Sequence, residues 1–225
     1  LDDNAIETIP SYVLEGVRKC SVIFAENERT VRRFLKKLDA SISIDAFEWT
    51  TISKENKDYE IIFRSKIKEE KNIAIISEAG CPGIADPGQS LVSIAHEMKC
   101  EVMPLVGPIS PMLALMASGM NGQHFEFVGY LPIEVAERTK MIKELESASA
   151  KSNSTKIFIE TPYRNNQLFE TILNTCRPET LLCVAVNITS EQQKIKTHRI
   201  SDWENNKIDL HKKPAIFLIY SGKPL

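Results

Sequence analysis

The sequence predicts an α/β protein of two domains, the first built on a mostly parallel sheet with flanking helices and the second on a mixed sheet. Three observations carry this. Over the first half of the chain, short β-branched runs alternate with amphipathic stretches of helical length, the signature of βαβ units with a sheet covered on both faces. Near the C-terminus, three strand-like runs follow one another without a long helix between each pair, which a purely parallel sheet would need. The 225 residues are 43% hydrophobic, enough for one large or two small cores without disulfide or metal staples.

In order, the periodicity predicts a helix over 5–20, a strand over 21–25, a helix over 28–38 and a short strand near 44–47. A polar stretch over 50–58 leads into a helix ending near Glu70. A β-branched run over 73–77 stops in a turn-rich loop, 78–88. A helix over 90–98 and a strand over 101–106 precede Gly107-Pro108, and a small apolar helix over 111–118 is closed by Gly119. The texture then changes. A strand in FEFVGYLP, a charged helix over 134–149, a polar loop over 151–155, a strand over 156–160 and a helix over 165–176 follow. Runs over 181–188, 194–200 and 215–220 read as strands. The domains are expected to be 1–112 and 113–225.

Composition excludes whole classes. Twenty-eight Lys and Arg against 30 Asp and Glu leave a net charge of −2, so no global basic footprint marks a nucleic-acid binder, although a local patch remains open. The five cysteines are widely spaced, with no C-x-x-C pair, and read as packed thiols of a cytoplasmic protein. The four histidines make no ligand pair, so no metal site is expected. No apolar run reaches the ~18 residues of a membrane helix, and LDDNAIETIP does not resemble a signal peptide.

Three places can carry chemistry. The loop Ser77-Glu78-Ala79-Gly80-Cys81-Pro82-Gly83-Ile84-Ala85-Asp86-Pro87-Gly88 packs three Gly and two Pro into twelve residues. Glycine admits close approach and proline fixes turns, so such a loop presents backbone groups to a ligand at the carboxyl end of a parallel strand. It is neither a G-x-x-x-x-G-K-[ST] phosphate loop nor a G-x-G-x-x-G turn. Three predicted strands end in a carboxylate, at Glu26, Glu78 and Glu160. In a parallel sheet Glu26 and Glu78 share one edge, where acids bind hydroxyls or cations or serve as a general base. The alternative is helix capping or pairing with Arg29 or Arg164. Finally, VGPISP (106–111) opens an apolar helix with Gly and Pro at the junction. The basic run Arg29, Arg32, Arg33, Lys36 and Lys37 reads either as a solvated helix face or as an RNA-phosphate contact, with no base-stacking aromatic platform nearby.

These segments resemble the tetrapyrrole methylase superfamily of S-adenosylmethionine-dependent methyltransferases. The closest likeness is to the branch of ribosomal RNA small subunit methyltransferase I, which methylates a cytidine ribose 2′-oxygen. The likeness rests on ISEAGCPGIADPG (76–88), PLVGPISPMLALMASGM (104–120), FEFVGYLP (125–132), IFIETPYRN (157–165) and AENERTVRRFL (25–35), in order over nearly the whole chain. It implies a two-domain tetrapyrrole methylase fold, a homodimer, and S-adenosylmethionine folded in a cleft between the domains. It assigns Gly83, Ile84, Ala85 and Asp86 to the cofactor loop, and Ile109, Ser110, Ile159 and Glu160 to further cofactor contacts. Glu26, Glu78 and Glu160 become candidates for proton removal or substrate positioning, and Arg29, Arg32 and Arg33 for contact with ribosomal RNA or the small ribosomal subunit.

Departures bear on the acceptor. The branch's first strand and G-T-P-x-G-N-x-x-D loop are expected ahead of Leu1, with only Leu1-Asp2-Asp3 and Ala5-Ile6 echoing the tail. Its H-E-H-N-E block is replaced by Glu48-Trp49-Thr50-Thr51-Ile52-Ser53, and its R-E-L-T-K block by Val186-Asn187-Ile188-Thr189-Ser190. A tetrapyrrole acceptor, or a cofactor- or RNA-binding module without turnover, are the alternative readings.

Overall fold

A computed structural model of the chain describes residues 5–53 and 57–223. The expected echo at Leu1-Asp2-Asp3 and the middle of the polar link over 50–58 lie outside the described residues. The chain divides into two compact units between Ile109 and Ser110.

The first unit carries a three-stranded parallel sheet. Strand β1 (Val22–Ala25) lies between β2 (Glu48–Thr51) and β3 (Ile73–Ile76). The helices α1 (Ser11–Arg18), α2 (Glu28–Leu38), α3 (Asp58–Lys68) and α4 (Gly88–Glu97) accompany it. Strand β1 is wholly buried, and its side chains alternate faces. Val22 and Phe24 pack with Tyr59, Phe63, Leu91 and Ile94, while Ile23 and Ala25 pack with Val17, Val31, Leu35 and Ile42. The two-sided burial predicted from the β-branched run therefore holds at β1.

Three expectations need correction here. The helix expected over 5–20 is a single 3₁₀ turn, Ile6–Thr8, followed by α1 starting after Pro10. Proline inside a helix removes one hydrogen bond and clashes with the preceding turn, so the chain breaks there. The strand expected near 44–47 is a 3₁₀ turn, Ile44–Ala46; the strand lies at 48–51. Ile44 is buried in the core, and Trp49 donates its indole N–H to the Ile44 carbonyl at 3.1 Å. The ladder instead uses Trp and Thr, which suit a half-exposed edge strand. The strand expected over 101–106 is not one: no ladder forms there among the described residues. The segment is pinned to α1 instead. The Val106 N–H donates to the Tyr12 hydroxyl at 2.8 Å, and Leu105 lies against Gly16.

The second unit holds a five-stranded mixed sheet. Its strands are β4 (Phe125–Tyr130), β5 (Thr155–Ile159), β6 (Leu181–Val186), β7 (Lys194–Arg199) and β8 (Ala215–Tyr220), in the order β4-β5-β8-β6-β7. In this sheet β4 and β5 pair parallel, and the pairs β5–β8, β6–β8 and β6–β7 are antiparallel. Helices α6 (Val135–Ser152) and α7 (Asn165–Thr175) cover one face with Ile142, Leu168 and Phe169, and Trp203, from the 3₁₀ segment Ile200–Asn206, packs in the same core. Helix α5 (Ser110–Ser118) covers the other with Ala114 and Leu115. The polar loop expected over 151–155 shrinks to Asn153 and Ser154: α6 runs to Ser152, and Asn153 takes the left-handed conformation (φ 51°) that ends helices.

Candidate functional site

Parallel pairing of β1 with β3 puts Ala25 level with Ile76, so the residues following both strands emerge at one edge. Glu26 and Glu78 meet there, as the spacing predicts. The Glu26 carboxylate accepts the backbone N–H of Glu78 at 2.9 Å. The Glu78 carboxylate in turn accepts from Asn27 Nδ2 at 3.2 Å and Thr30 Oγ1 at 3.4 Å. Asn27 also caps α2, its Oδ1 accepting the Thr30 N–H at 3.1 Å. One asparagine thus ties the start of α2 to the acid at the mouth of the loop. Sequence reasoning missed Asn27 and Thr30; the capping preference of Asn before a helical run was the available signal.

The Gly/Pro-rich loop folds onto itself around Asp86. Its Oδ1 accepts the N–H groups of Gly83 and Gly88, each at 2.7 Å. Gly83 has φ 81°, and a Cβ there would meet nothing within 4 Å. Ala85 also sits at positive φ, and Ile84 is 45% exposed. Gly88 is tight: a Cβ would come within 3.0 Å of Asp86 Oδ1 and 3.2 Å of Ile75 Cγ2. The VGP segment abuts the loop, since a Cβ on Gly107 would come within 2.9 Å of Cys81 Sγ. Burial, followed by the Asp86 charge, pushes the Cys81 thiol above its usual range.

The residues present fit a polar nucleoside-like cofactor on one observation. The second Asp86 oxygen, Oδ2, is buried without a hydrogen-bond partner, beside backbone that Gly83 leaves open to close approach. A buried carboxylate oxygen of this kind asks for a donor such as an ammonium or a hydroxyl.

The other predicted residues are placed differently. Glu160 follows β5 in the second unit, its side chain 1% exposed. Its Oε1 accepts from Arg164 at 2.7 Å and from the Thr161 N–H at 2.6 Å, while Oε2 is buried without a partner. The pairing with Arg164, one of the alternatives the sequence left open, is realised. Ile159 is half-buried at the end of β5; Ile109 closes the first unit and Ser110 opens α5. The three arginines of α2 do not act as one face. Arg32 is bound to Glu28 (2.8 Å) and Asp45 (3.2 Å) and lies over the Trp49 ring at 4.6 Å. Arg29 and Arg33 are exposed and make no ion pair among the described residues. An aromatic surface the sequence did not single out lies in the E-T-P-Y-R turn. Tyr163 is 72% exposed, with Lys212 Nζ 5.9 Å from its ring centroid and the His211 ring at 6.4 Å.

The two blocks that depart from the resemblance are ordinary structure. Residues 48–51 form edge strand β2. Residues 187–189 turn tightly after β6, with Asn187 at φ 51° and Thr189 at φ 75°.

Compared with known families, residues 7–203 match the model of the tetrapyrrole (corrin/porphyrin) methylases. The chain belongs to this family. The tetrapyrrole methylase is 29% identical over 212 residues to a ribosomal RNA small subunit methyltransferase I of Buchnera aphidicola subsp. Schizaphis graminum, covering 93% of this chain and 72% of that protein. It is 28% identical over 168 residues to the protein of the same name from Halalkalibacterium halodurans, covering 75% of this chain and 55% of that one. The chain thus spans little more than half the length of some relatives. Among solved structures, the methyltransferase CobJ superposes with a TM-score of 0.62 at 15% identity, over 95% of this chain and 88% of that one. The uroporphyrin-III-C-methyltransferase of Thermus thermophilus gives 0.56 at 15% identity, over 96% and 89%. At such identities these two establish the fold, which is the α/β fold with one parallel and one mixed sheet expected from the sequence. Membership makes the chain a methyltransferase by class, again as expected. No helix among the described residues is long and apolar enough to cross a membrane.

Proposed function

We propose that this tetrapyrrole methylase transfers a methyl group from S-adenosylmethionine to a ribose 2′-oxygen of RNA in the small ribosomal subunit. The observation that carries the reading is the loop 77–88, its backbone open at Gly83 and its clasping Asp86 left with an unpartnered buried oxygen, in a chain whose relatives bear the name of that activity. The cofactor supplies an already activated methyl on a sulfonium, so neither a metal nor a covalent enzyme intermediate is required.

What remains for the protein is alignment, exclusion of water and removal of the hydroxyl proton. Gly83, Ile84, Ala85 and Asp86 hold the cofactor, the Asp86 Oδ2 accepting from one of its donors. The likeness assigns Ile109, Ser110, Ile159 and Glu160 to cofactor contacts as well. Glu26 or Glu78 takes the proton, a reading supported by the hydrogen bonds that Asn27 and Thr30 give the Glu78 carboxylate. Glu160 is engaged by Arg164 and suits positioning better than proton transfer. Arg29 and Arg33 meet RNA phosphates, and the exposed Tyr163 ring offers a stacking face to an unpaired base. The protein works as a cytoplasmic homodimer on the ribosomal subunit.

The test incubates the full-length protein with methyl-labelled S-adenosylmethionine and, separately, small ribosomal subunits, total RNA and a porphyrinoid. Label in a 2′-O-methyl nucleoside is the expected result. Label in the porphyrinoid alone would make it a tetrapyrrole enzyme. Cofactor binding with no transfer to any acceptor would make it a binding module, the outcome that the replaced blocks at 48–53 and 186–190 favour.

A further inference from the structure

We propose a second ligand site in the C-terminal unit: an oxyanion site centred on Arg138, in the groove between α6 and α7. Arg138 is fully buried, with 0% exposure. It makes no ion pair among the described residues. Nη1 donates to the Ile133 carbonyl at 3.1 Å and Nη2 to Thr171 Oγ1 at 3.2 Å. Nε is buried and has no partner. A guanidinium carries five N–H donors and is charged at every physiological pH, so this one keeps donors and a whole positive charge unanswered. Burying an uncompensated charge is strongly unfavourable, and proteins retain such groups where a counter-charge arrives.

The placement sharpens the argument. Arg138 lies in the first turn of the 18-residue helix α6, where the backbone N–H groups already present partial positive charge. Acids are favoured at that position and cations disfavoured. The groove lined by Arg138 has a volume of ≈ 520 Å³, with Thr139, Gln167, Thr171 and Asn174 among its walls. These are neutral hydrogen-bonding side chains. Glu170 also lines it, but its carboxylate is paired with Lys207 at 3.3 Å. A buried fork of donors, a helix N-terminus and neutral polar walls together describe a receptor for a tetrahedral oxyanion, above all a phosphate group. An RNA backbone and a small phosphorylated molecule share that chemistry. The site uses no residue of the methyl-transfer proposal, so either can fail without the other.

The experiment uses the full-length protein and inorganic phosphate. Phosphate is titrated at constant ionic strength, following its ³¹P linewidth and the melting temperature. Wild type should broaden the line and show a saturable rise in melting temperature. Arg138→Met should abolish both, but it empties a buried position and risks misfolding. Thr171→Asp is therefore the deciding variant. It places a carboxylate beside Nη2, supplies the missing counter-charge from within, and should weaken phosphate binding roughly a hundredfold through like-charge repulsion. Its melting temperature without phosphate should be at least that of wild type. A narrow phosphate line with wild type, or equal broadening with Thr171→Asp, overturns the proposal. If a short oligoribonucleotide displaces phosphate from wild type, the natural ligand is an RNA backbone; if it does not, the site takes a free phosphorylated molecule.

Discussion

Asp86 shows how one side chain sets the geometry of a loop. Its Oδ1 holds the amides of Gly83 and Gly88, closing a ring of six residues. Replacing Asp86 with Ala leaves both amides without their acceptor. We expect a loss of about 1–3 kcal/mol in denaturant unfolding, because an unsatisfied amide forfeits its desolvation cost. Gly83→Leu tests the loop differently. At φ 81° a side chain costs about 1–2 kcal/mol of strain, yet no atom stands in its way, so the fold should persist. The leucine would occupy the open approach, and S-adenosylhomocysteine binding should vanish in isothermal titration. Unchanged affinity would remove the loop from the site. The Gly and Pro positions were legible in sequence because backbone freedom is a local property. The clasp was not, since it depends on the loop closing upon its own carboxylate.

At the scale of the element, α2 separates structural from functional charge. Its bounds, Glu28–Leu38, coincide with those the periodicity predicts, because apolar spacing and the Asn27 cap agree. Its basic residues, equivalent in sequence, are not equivalent in space. Arg32 stacks on Trp49 and pairs with Glu28 and Asp45, whereas Arg29 and Arg33 are exposed. Arg32→Ala should therefore lower the denaturant midpoint of unfolding slightly and leave RNA binding nearly unchanged. Changing Arg29 and Arg33 together to Glu should do the opposite. Stability should hold, while RNA affinity falls and the slope of log K against log salt flattens by roughly 0.7 per lost phosphate contact on a single strand. A salt slope indifferent to both charges would make this face plain solvated surface. The sequence could not sort these arginines, because Trp49, the partner of Arg32, comes from the neighbouring strand β2 and not from the helix.

For the whole molecule, buried thiols and tethered carboxylates bound the pH range of stability. Burial pushes Cys176 up to about 12 and Cys183 up to about 11. A raised folded-state value stabilises the native state fully below the unfolded thiol value of 9.0, and this stability is lost as pH rises towards 11–12. Denaturant unfolding should show stability declining above pH 9, and the decline should flatten in a Cys176→Ala, Cys183→Ala variant. On the acid side the sign reverses. The Ser41 hydroxyl and amide, with Arg18, hold the Asp39 carboxyl below its ordinary value, and Asn166 and the His211 amide do so for Asp209. Their contribution is present above the unfolded carboxylate range and disappears as pH falls through the lowered values. A stability curve still rising above pH 9 would contradict this account.

The amino-acid order alone determined the alternation of strands and helices, the change of texture after Gly119, and the convergence of Glu26 and Glu78 once a parallel sheet was inferred. Those features follow from periodicity and from backbone chemistry that neighbouring residues share. Tertiary structure decided which extended run joins a ladder, 48–51 rather than 44–47 or 101–106. It also decided which acid is bound by an arginine and where a buried arginine keeps an unpartnered Nε. Each of these outcomes depends on partners distant along the chain, and a local pattern carries no record of a partner that only folding brings near.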